Sequence, residues 1–253
     1  MSENLNSTPL GRPFTVLAVT ESSNNYAMEA LKRGEAQHGS AWFAMEQTSG
    51  RGQRGKTWVS EPGQNIILSV VIDPSRYNVN KPFELNWSFA LAAHKLFSQF
   101  TGGDCSIKWP NDIMWRDRKA AGLLIDTIFR GTEWNFAVAG MGMNINQVRF
   151  PETSRKPVSL RQITGRVHDP LELTKRFLQL LQEELEFHRN AGSEAVLERY
   201  NQHLFGIGKE TRFQKDNIVF TSTVIGVNSA NQLCLKTPAG HPFNHGEIEW
   251  IIE

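Results

Sequence analysis

Glycines and cations alternate in one short stretch of the chain, GRGQRGKT, at residues 50–57. The stretch matches the phosphate-binding consensus G-x-x-x-x-G-K-[ST], and it also contains the dinucleotide-binding pattern G-x-G-x-x-G. Both patterns work through a helix that begins at the loop and directs backbone N–H groups at a phosphate. Here Lys56 and Thr57 are soon followed by Pro62 and Gly63, which leave at most a single turn of helix. We therefore predict that this loop is neither a P-loop nor a Rossmann turn.

Two interpretations of the loop remain. It is either a solvated hairpin turn, because surface turns collect glycine and arginine, or a cationic flap over an anionic ligand. Arginine suits bidentate contacts with a carboxylate or phosphate, and lysine supplies a point charge. The loop by itself leaves both interpretations open, so other segments of the chain must decide.

Three further segments combine apolar strands with polar or small residues. In KWPND, Pro110 holds Trp109 extended, and Asn111 and Asp112 follow in a turn. In RKAAGLLID, at residues 118–126, a lysine stands at the start of an apolar strand, three residues before a glycine. In GMGMNIN, at residues 140–146, small residues and two amides follow another apolar strand. Each segment alone leaves a structural and a functional interpretation equally open. Lys119 is either a solvated strand end or a cation aimed into a pocket, and GMGMNIN is either a tight turn or a place where a ligand approaches the backbone.

The surrounding pattern predicts the elements that position these segments. Apolar and β-branched runs predict strands at residues 14–20, 40–46, 65–72, 106–109, 120–129 and 134–139. Apolar spacing and end signals predict helices at residues 25–32, from Pro82 to Gly102, from Asp169-Pro170 to Arg189, and at 194–203. After Gly206, short strands at 211–213, 218–227, 232–236 and 247–252 predict a small all-β module.

Taken in chain order, the motifs form a family pattern. ESSN, Q-x-x-G-R-G-x-x-G-x-x-W, KWPND, K-x-x-G and G-x-G-x-N resemble the biotin–protein ligases over roughly residues 16–146. The β-rich tail is similar to the SH3-like C-terminal module of that family. The resemblance implies an α+β fold with a mixed β-sheet flanked by helices, as in class II synthetase-like biotin/lipoate ligases. We expect the catalytic domain at residues 1–205 and the small SH3-like β-barrel at 206–253.

The resemblance also implies an activity and a set of site residues. Such ligases join biotin and ATP into biotinyl-5′-AMP and then transfer biotin to one lysine of a biotin carboxyl carrier domain. Lys119 and Arg51 would be the catalytic residues. The residues expected to bind biotin are Ser22, Ser23, Asn24, Gln47, Gly50, Arg51, Lys119, Gly122 and Gly140. Those expected to bind ATP and the adenylate are Arg51, Arg54, Lys56, Trp58, Asn111, Asp112, Lys119 and Asn144.

Three positions depart from the family pattern. Ser23 stands where threonine is more usual, which keeps the hydroxyl group. Lys56 replaces a common arginine, which is a mild change. Gln53 occupies a position where the family often has arginine, so one phosphate contact is expected to be neutral here. This last change puts the retention of the adenylate in doubt, although not the reaction itself.

The physical chemistry of the reaction agrees with these residue types. When the carboxylate of biotin attacks the α-phosphate of ATP, two anions meet and charge builds on the phosphate oxygens. Fixed cations stabilise that charge, and removing one such donor typically costs about 3–4 kcal/mol. Magnesium, brought by ATP rather than held by a metal site of the protein, would neutralise the departing pyrophosphate. Glycines let the loop close and exclude water, which protects the mixed anhydride.

Composition limits the other function classes. The 27 basic and 26 acidic residues give no basic field that would indicate a nucleic-acid partner. Cys105 and Cys234 form no CxxC pattern, which favours a reducing, cytoplasmic compartment. Residues 1–13 lack a signal-peptide pattern and are expected to be a short mobile arm. No apolar run approaches the ~18 residues that span a membrane.

The sequence also bears on additional domains, partners and oligomeric state. Only about twenty residues precede ESSN, too few for the winged helix-turn-helix of repressor-type relatives, so we expect a short form that binds no operator. The expected partner is a biotin carboxyl carrier protein or domain. The sequence allows either a monomer or a homodimer.

Three rival functions are weighed against biotin ligation. The nearest is a lipoate–protein ligase or octanoyltransferase of the same superfamily, against which KWPND and the arginine-glycine loop argue. A non-catalytic adaptor on the same scaffold is disfavoured because Lys119 and Arg51 are retained. A P-loop NTPase ranks third, since no helix is expected after Thr57.

Overall fold

A computed structural model describes residues 8–151, 156–236 and 241–252 of the chain. The larger part of it is one mixed β-sheet with helices on both faces. Its strands are β1 (Phe14–Leu17), β2 (Ala41–Ala44), β3 (Ile66–Ile72), β4 (Cys105–Lys108), β5 (Asp112–Trp115), β6 (Arg118–Arg130) and β7 (Glu133–Met143). Its helices are α1 (Ser23–Lys32), α2 (Pro82–Thr101), α3 (Leu160–Thr164) and α4 (Pro170–Gln202).

The sheet has the order β1-β2-β3-β7-β6-β5-β4. β1 and β2 are parallel and every other neighbouring pair is antiparallel, so the sheet is mixed. The predicted α+β class with a mixed sheet flanked by helices is therefore confirmed.

Two hydrophobic clusters lie on opposite faces of this sheet. The large one joins α2 and α4 to residues such as Leu68 and Val70 of β3. The small one joins α1 to Val71 of β3 and Val138 of β7. Because side chains alternate along a strand, the face that contacts α1 also carries every second residue of β3, β6 and β7. The predicted site segments lie on that face.

The long middle strands differ from the prediction. β7 continues through residues 140–143, where a turn or a close ligand approach had been the two alternatives. Its glycines stay extended because β3 and β6 supply backbone hydrogen bonds on both sides, which outweighs the low strand propensity of glycine. β5 and α3 were not predicted; β5 begins at Asp112, the second residue of the expected turn.

The helix signals placed the other helices well. Ser22 caps α1 by accepting from the Asn25 N–H at 3.5 Å, and α1 begins two residues before the prediction. Asp169 caps α4 by accepting from the Leu171 N–H at 2.8 Å. Gly192, with φ 82°, interrupts α4 and divides it into the two expected segments.

The C-terminal part is a second, antiparallel sheet in the order β10-β9-β8-β11. Its strands are β8 (Glu210–Lys215), β9 (Ile218–Val227), β10 (Leu233–Leu235) and β11 (Glu249–Ile251). Each lies where a short strand was predicted, which is consistent with the expected SH3-like barrel. The boundary between residues 205 and 206 stays a prediction.

The expected mobile arm is corrected for residues 8–13. Leu10 is only 8% exposed. The N–H groups of Gly11 and Arg12 donate to the Gly39 carbonyl at 2.8 and 3.0 Å. These contacts fix the segment against the sheet, so the prediction of an arm was wrong there. Residues 1–7 lie outside the described residues. Among the helices of the described ranges, none is both long and apolar enough to cross a bilayer.

A buried histidine, His94, makes the stability of the protein depend on pH. His94 stacks on His203 with ring centroids 4.2 Å apart, and burial, with the nearby His203, lowers the pKa of His94 to about 4. In the unfolded chain His94 takes up a proton near the ordinary histidine pKa of about 6.5. The free energy of unfolding therefore decreases as the pH falls from about 6.5 to about 4. From pH 7 to pH 5 we expect His94 alone to account for about 2 kcal/mol of that decrease.

Urea unfolding at pH 7 and pH 5 checks this expectation. His94→Gln should lose less stability between the two pH values than the wild type does. His241→Gln is the matched control, because His241 is exposed, and it should keep the wild-type pH dependence. An unchanged pH dependence in His94→Gln would contradict the expectation.

Candidate active site

The sheet face below α1 carries two adjoining cavities. We call inner cavity the one lined by Ser22, Ser23, Asn24, Gln47, Arg51, Gly52, Gln53, Trp58, Ile67, Leu68, Asn111, Lys119, Gly122, Leu123, Leu124, Gly140, Met141 and Gly142. The outer cavity is lined by Gly52, Gln53, Arg54, Lys56, Thr57, Trp58, Val59, Asn111, Asp112, Lys119, Asn144, Phe150, Pro151, Pro157 and His245. Lys119, Trp58, Asn111 and the loop residues Gly52 and Gln53 belong to both. One ligand could therefore extend from the first cavity into the second.

A buried polar cluster closes one end of the inner cavity. The backbone N–H and the hydroxyl of Ser23 donate to Gln47 Oε1 at 2.8 and 3.1 Å. Ser69 of β3 donates from its hydroxyl to Ser23 Oγ at 2.8 Å and lies 2.5 Å from Asn24 Oδ1. Hydroxyls and amides fixed by one another can recognise a small polar group with directional hydrogen bonds. Ser69 is absent from the motifs, because a serine inside an apolar strand gives no signal of its own.

Glycines of β6 and β7 make room for side chains that line the inner cavity. A Cβ at Gly140 would collide with the amide of Asn24, and one at Gly142 would collide with the indole of Trp58. A Cβ at Gly122 would lie 3.1 Å from both Trp58 and Lys119 Nζ. Since Gly122 pairs with Gly142 across β6 and β7, the two glycines form a flat surface for the Trp58 ring.

The side chain of Arg51 is held by a residue that had not been given a role, Asp126 at the end of RKAAGLLID. Its guanidinium donates to Asp126 Oδ2 at 3.1 Å and Oδ1 at 3.3 Å, and to Asn25 Oδ1 at 2.7 Å. Asp126 also accepts from Asn24 Nδ2 at 3.0 Å. A sequence signal for it existed, because Gly122, Leu124 and Asp126 share one face of β6, where a carboxylate is unusual.

Lys119 belongs to a buried ionic group at the junction of the two cavities. Its Nζ lies 2.7 Å from Asp112 Oδ1, and Lys108 Nζ lies 3.8 Å from Asp112 Oδ2. The side chain of Asp112 is only 3% exposed, whereas that of Lys119 is 20% exposed. Asp112 therefore orients Lys119, whose ammonium group still reaches the cavities and lies 5.6 Å from the centre of the Trp58 ring. Lys108, the first residue of KWPND, had not been given a role.

The glycine loop contains a single short helical turn and leads into no helix. Residues 53–55 form a 3-10 turn in which Arg54 adopts a left-handed conformation with φ 56°. Arg51 and Thr57 pair across the loop, and the chain continues without a helix to β3. The prediction that this is not a P-loop is confirmed, because no helix N-terminus faces the glycines.

Two polar atoms of the loop are buried without a partner. Within the described ranges, Trp58 Nε1 and Gln53 Oε1 have no hydrogen-bond partner in the protein. Both residues line both cavities. Buried polar groups are nearly always paired, so these two atoms mark places where a polar ligand would complete the hydrogen bonding.

The comparisons with known proteins point to one family. A sequence model described as the biotin/lipoate A/B protein ligase family matches residues 16–144, which is half of the chain. The chain belongs to this family. The matched range includes every segment that lines the inner cavity.

Individual relatives agree with the assignment. The biotin--[acetyl-CoA-carboxylase] ligase of Paracoccus denitrificans is 34% identical over 173 residues, which cover 66% of this chain and 68% of the relative. The bifunctional ligase/repressor BirA of Bacillus subtilis is 25% identical over 222 residues, covering 87% of this chain and 68% of the relative. The structure of the biotin protein ligase from Aquifex aeolicus in complex with biotin and ATP superposes with a TM-score of 0.77 at 23% identity. It covers 94% of this chain and 98% of that chain, which shows a common fold.

The residues that the family resemblance assigns to biotin and to ATP line the inner and the outer cavity respectively, with two exceptions. Of the residues expected to bind biotin, all except Gly50 line the inner cavity. Gly50 does not line the cavity but packs against two residues that do, since a Cβ at this position would meet the Trp58 carbonyl and Gln47 Nε2. Of those expected to bind ATP, all except Arg51 line the outer cavity. Arg51 lines only the inner one, because Asp126 and Asn25 hold it there.

Three of the outer-cavity residues have their own protein contacts. Asn111 Nδ2 donates to the Leu123 carbonyl at 2.8 Å, which fixes KWPND against β6. Asn144 Nδ2 lies 3.4 Å from the Lys119 carbonyl. Arg54 Nη2 donates to the His245 carbonyl at 3.1 Å, so this cation joins the loop to the C-terminal module.

The donor set for a metal ion is small. The described residues contain no group of three or more His, Cys, Asp or Glu side chains that could hold a metal ion. In the outer cavity Asp112 supplies a carboxylate and Asn144 an amide oxygen. Magnesium commonly binds through one or two protein oxygens together with substrate phosphates, so these residues fit an ion that arrives with a nucleotide.

Proposed function

We propose that the protein is an ATP-dependent biotin–protein ligase. It activates biotin as biotinyl-5′-AMP and then transfers the biotinyl group to a lysine of a biotin carboxyl carrier protein. The observation that carries this function is the meeting of the two cavities at Lys119 in a chain of the biotin/lipoate ligase family. An acid in the inner cavity and a nucleoside triphosphate in the outer cavity would meet at that ammonium group.

Biotin would bind with its ureido ring against the polar cluster of the inner cavity. Ser23, Asn24 and Gln47 offer hydroxyl and amide groups that are already oriented, since Ser69 contacts Ser23 and Asn24, and Ser23 donates to Gln47. The apolar strand residues of the cavity, such as Ile67 and Leu124, would contact the fused rings and the valerate chain. The carboxylate would then point toward Lys119 and Arg51.

The adenylation step depends on fixed positive charge. The carboxylate oxygen of biotin attacks the α-phosphorus of ATP, the bond to the β-phosphate oxygen breaks, and pyrophosphate leaves. Lys119, oriented by Asp112, and Arg51 would stabilise the charge on the phosphate oxygens. Lys56 adds positive charge in the outer cavity, and Mg²⁺ bound to ATP would neutralise the leaving pyrophosphate.

The transfer step uses the retained adenylate. The neutral amine of the acceptor lysine attacks the acyl carbon of biotinyl-5′-AMP, an amide forms, and AMP leaves with the bonding electron pair. The loop at residues 50–58 would cover the anhydride and exclude water until the carrier domain arrives. A covalent enzyme intermediate is not needed.

Mass spectrometry of a carrier domain tests the whole reaction. After incubation with the protein, biotin and Mg-ATP, the carrier should gain one biotinyl group, and its acceptor-lysine variant should gain none. A carrier of unchanged mass would overturn the proposal. Pyrophosphate release from biotin and Mg-ATP without the carrier separates an active ligase from a non-catalytic adaptor, which should show no turnover.

The family description also includes lipoate ligases, so acid specificity needs its own test. Isothermal titration should show micromolar or tighter binding of biotin and no binding of lipoate. The reverse result would favour a lipoate–protein ligase or octanoyltransferase.

The neutral residue at position 53 makes a prediction about adenylate release. Gln53 lines both cavities, so an arginine at this position would add a cation beside the bound adenylate. We expect Gln53→Arg to slow release of biotinyl-5′-AMP about tenfold, because a hydrogen bond to a charged group contributes about 1.5–3 kcal/mol. Rapid filtration of the preformed complex measures the release rate.

Gln202→Arg is the control for added charge, since Gln202 is exposed at the end of α4. It should release the adenylate at the wild-type rate. Equal release from Gln53→Arg and the wild type would show that position 53 does not contact the adenylate.

A further inference from the structure

Asp126 joins two parts of the site that come from different elements. Its Oδ2 accepts from Asn24 Nδ2 at 3.0 Å, and Asn24 belongs to α1 and the polar end of the inner cavity. Its two carboxylate oxygens also accept from the Nη1 and Nη2 atoms of Arg51, at 3.1 and 3.3 Å. One carboxylate on a rigid central strand thus holds both a buried amide and a cation of the loop.

Arg51 has little else to fix it. Its side chain is 43% exposed and extends from a loop with only one short helical turn. The bidentate contact with Asp126 and the bond to Asn25 Oδ1 select one orientation of the guanidinium group. Arginine has more N–H donors than these contacts use, so a donor remains for a substrate oxygen in the inner cavity.

We propose that Asp126 is a positioning residue for adenylation, which acts by fixing Arg51 and Asn24 relative to each other. This inference rests on the proposed function. The reacting carboxylate must lie near Arg51 while the far end of the same molecule lies near Asn24, so their separation sets where the carboxylate stands. A side chain that fixes this separation affects the rate, because small displacements of reacting groups are costly.

Different substitutions of Asp126 remove its contact with Arg51 and its contact with Asn24 separately. Asparagine at 126 keeps an oxygen that can accept from Asn24 but loses the charge and the bidentate contact with Arg51. Alanine loses both contacts. Glutamate keeps the charge and, on an extended strand, can still reach the loop with its longer side chain.

The test measures biotin affinity by titration and the kcat of pyrophosphate release in each variant. Asp126→Asn should lower kcat about 10- to 30-fold and change the Kd for biotin less than about threefold. Asp126→Ala should lower kcat similarly and also weaken biotin binding about tenfold. Asp126→Glu should restore a large part of kcat.

Two further variants separate positioning from stability. Asp104→Asn is the matched control, because Asp104 also pairs with an arginine, Arg116, at 2.9 Å, but outside both cavities. It should keep the wild-type kcat. Because Asp126 acts through Arg51, the double variant Arg51→Lys with Asp126→Asn should be no slower than Arg51→Lys alone.

The outcomes distinguish this inference from the function on which it rests. If the wild type releases no pyrophosphate, the proposed function is wrong. If the wild type is active and Asp126→Asn has the same kcat, the inference is wrong. It is also overturned if Asp126→Glu is as slow as Asp126→Ala, or if the Arg51 and Asp126 substitutions multiply in the double variant.

Discussion

Lys119→Ala should reduce adenylate formation about 100- to 1000-fold, because removing one fixed donor to a charged transition state typically costs about 3–4 kcal/mol. Biotin binding should survive in part, since the polar cluster around Ser23 and Asn24 does not involve Lys119. The fold should persist, because Asp112 keeps Lys108 at 3.8 Å after the substitution. Pyrophosphate release and biotin titration measure the two effects.

Lys175→Ala is the control for the loss of a lysine. Lys175 is exposed on α4, and its Nζ lies 2.6 Å from Oε1 of Glu172, one helical turn away. Lys175→Ala should therefore leave the activity unchanged. Lys119→Arg should recover only part of the rate, because a planar guanidinium does not replace a compact ammonium group in the contact with Asp112. Near-normal adenylation by Lys119→Ala would refute the role given to this residue.

Gly140→Ala is the second substitution with a large expected effect. The added methyl group would occupy the place of the Asn24 amide, so Asn24 must leave its bonds with Ser69 and Asp126. Biotin affinity should fall about 100-fold, as expected when a site that hydrogen-bonds its ligand loses a buried partner. Isothermal titration measures the change.

Gly142→Ala is the matched comparison, since the two glycines lie two residues apart on the same face of β7. Its methyl group would displace the Trp58 ring rather than Asn24. This variant should weaken retention of the adenylate more than it weakens biotin binding. Equal losses of biotin affinity in Gly140→Ala and Gly142→Ala would contradict the assignment of biotin binding to the Asn24 end of the cavity and adenylate retention to the Trp58 end.

The contrast between these glycines shows how far the sequence could lead. GMGMNIN was recognised as a place where small residues matter, but turn and ligand approach were equally open. The structure shows a third reason, because each glycine makes room for a side chain from a distant segment. Such a contact depends on which strands are neighbours, and β7 lies between β3 and β6, which come from separate parts of the chain.

The partners of the site residues were the part that sequence reasoning missed. Ser69, Asp126 and Lys108 each contact a predicted residue at hydrogen-bonding or ionic distance, yet none had been given a role. Ser69 and Lys108 are ordinary residue types for a strand or a strand end, whereas the carboxylate of Asp126 on β6 was a signal that had not been used. Only strand pairing and packing place them beside the residues that they contact.

The sequence by itself determined the type of chemistry, because cations, glycines and amides at fixed local spacing state which charges a segment can stabilise. It also determined that the glycine loop leads into no helix, since Pro62 and Gly63 act locally. Only the tertiary structure decided that Arg51 faces Asp126, that Lys119 faces Asp112 and that Trp58 lies on two glycines. The contacts of Arg51 and Trp58 join residues far apart in the chain, and that of Lys119 crosses the neighbouring strands β5 and β6. Their geometry follows from strand pairing and packing rather than from local spacing.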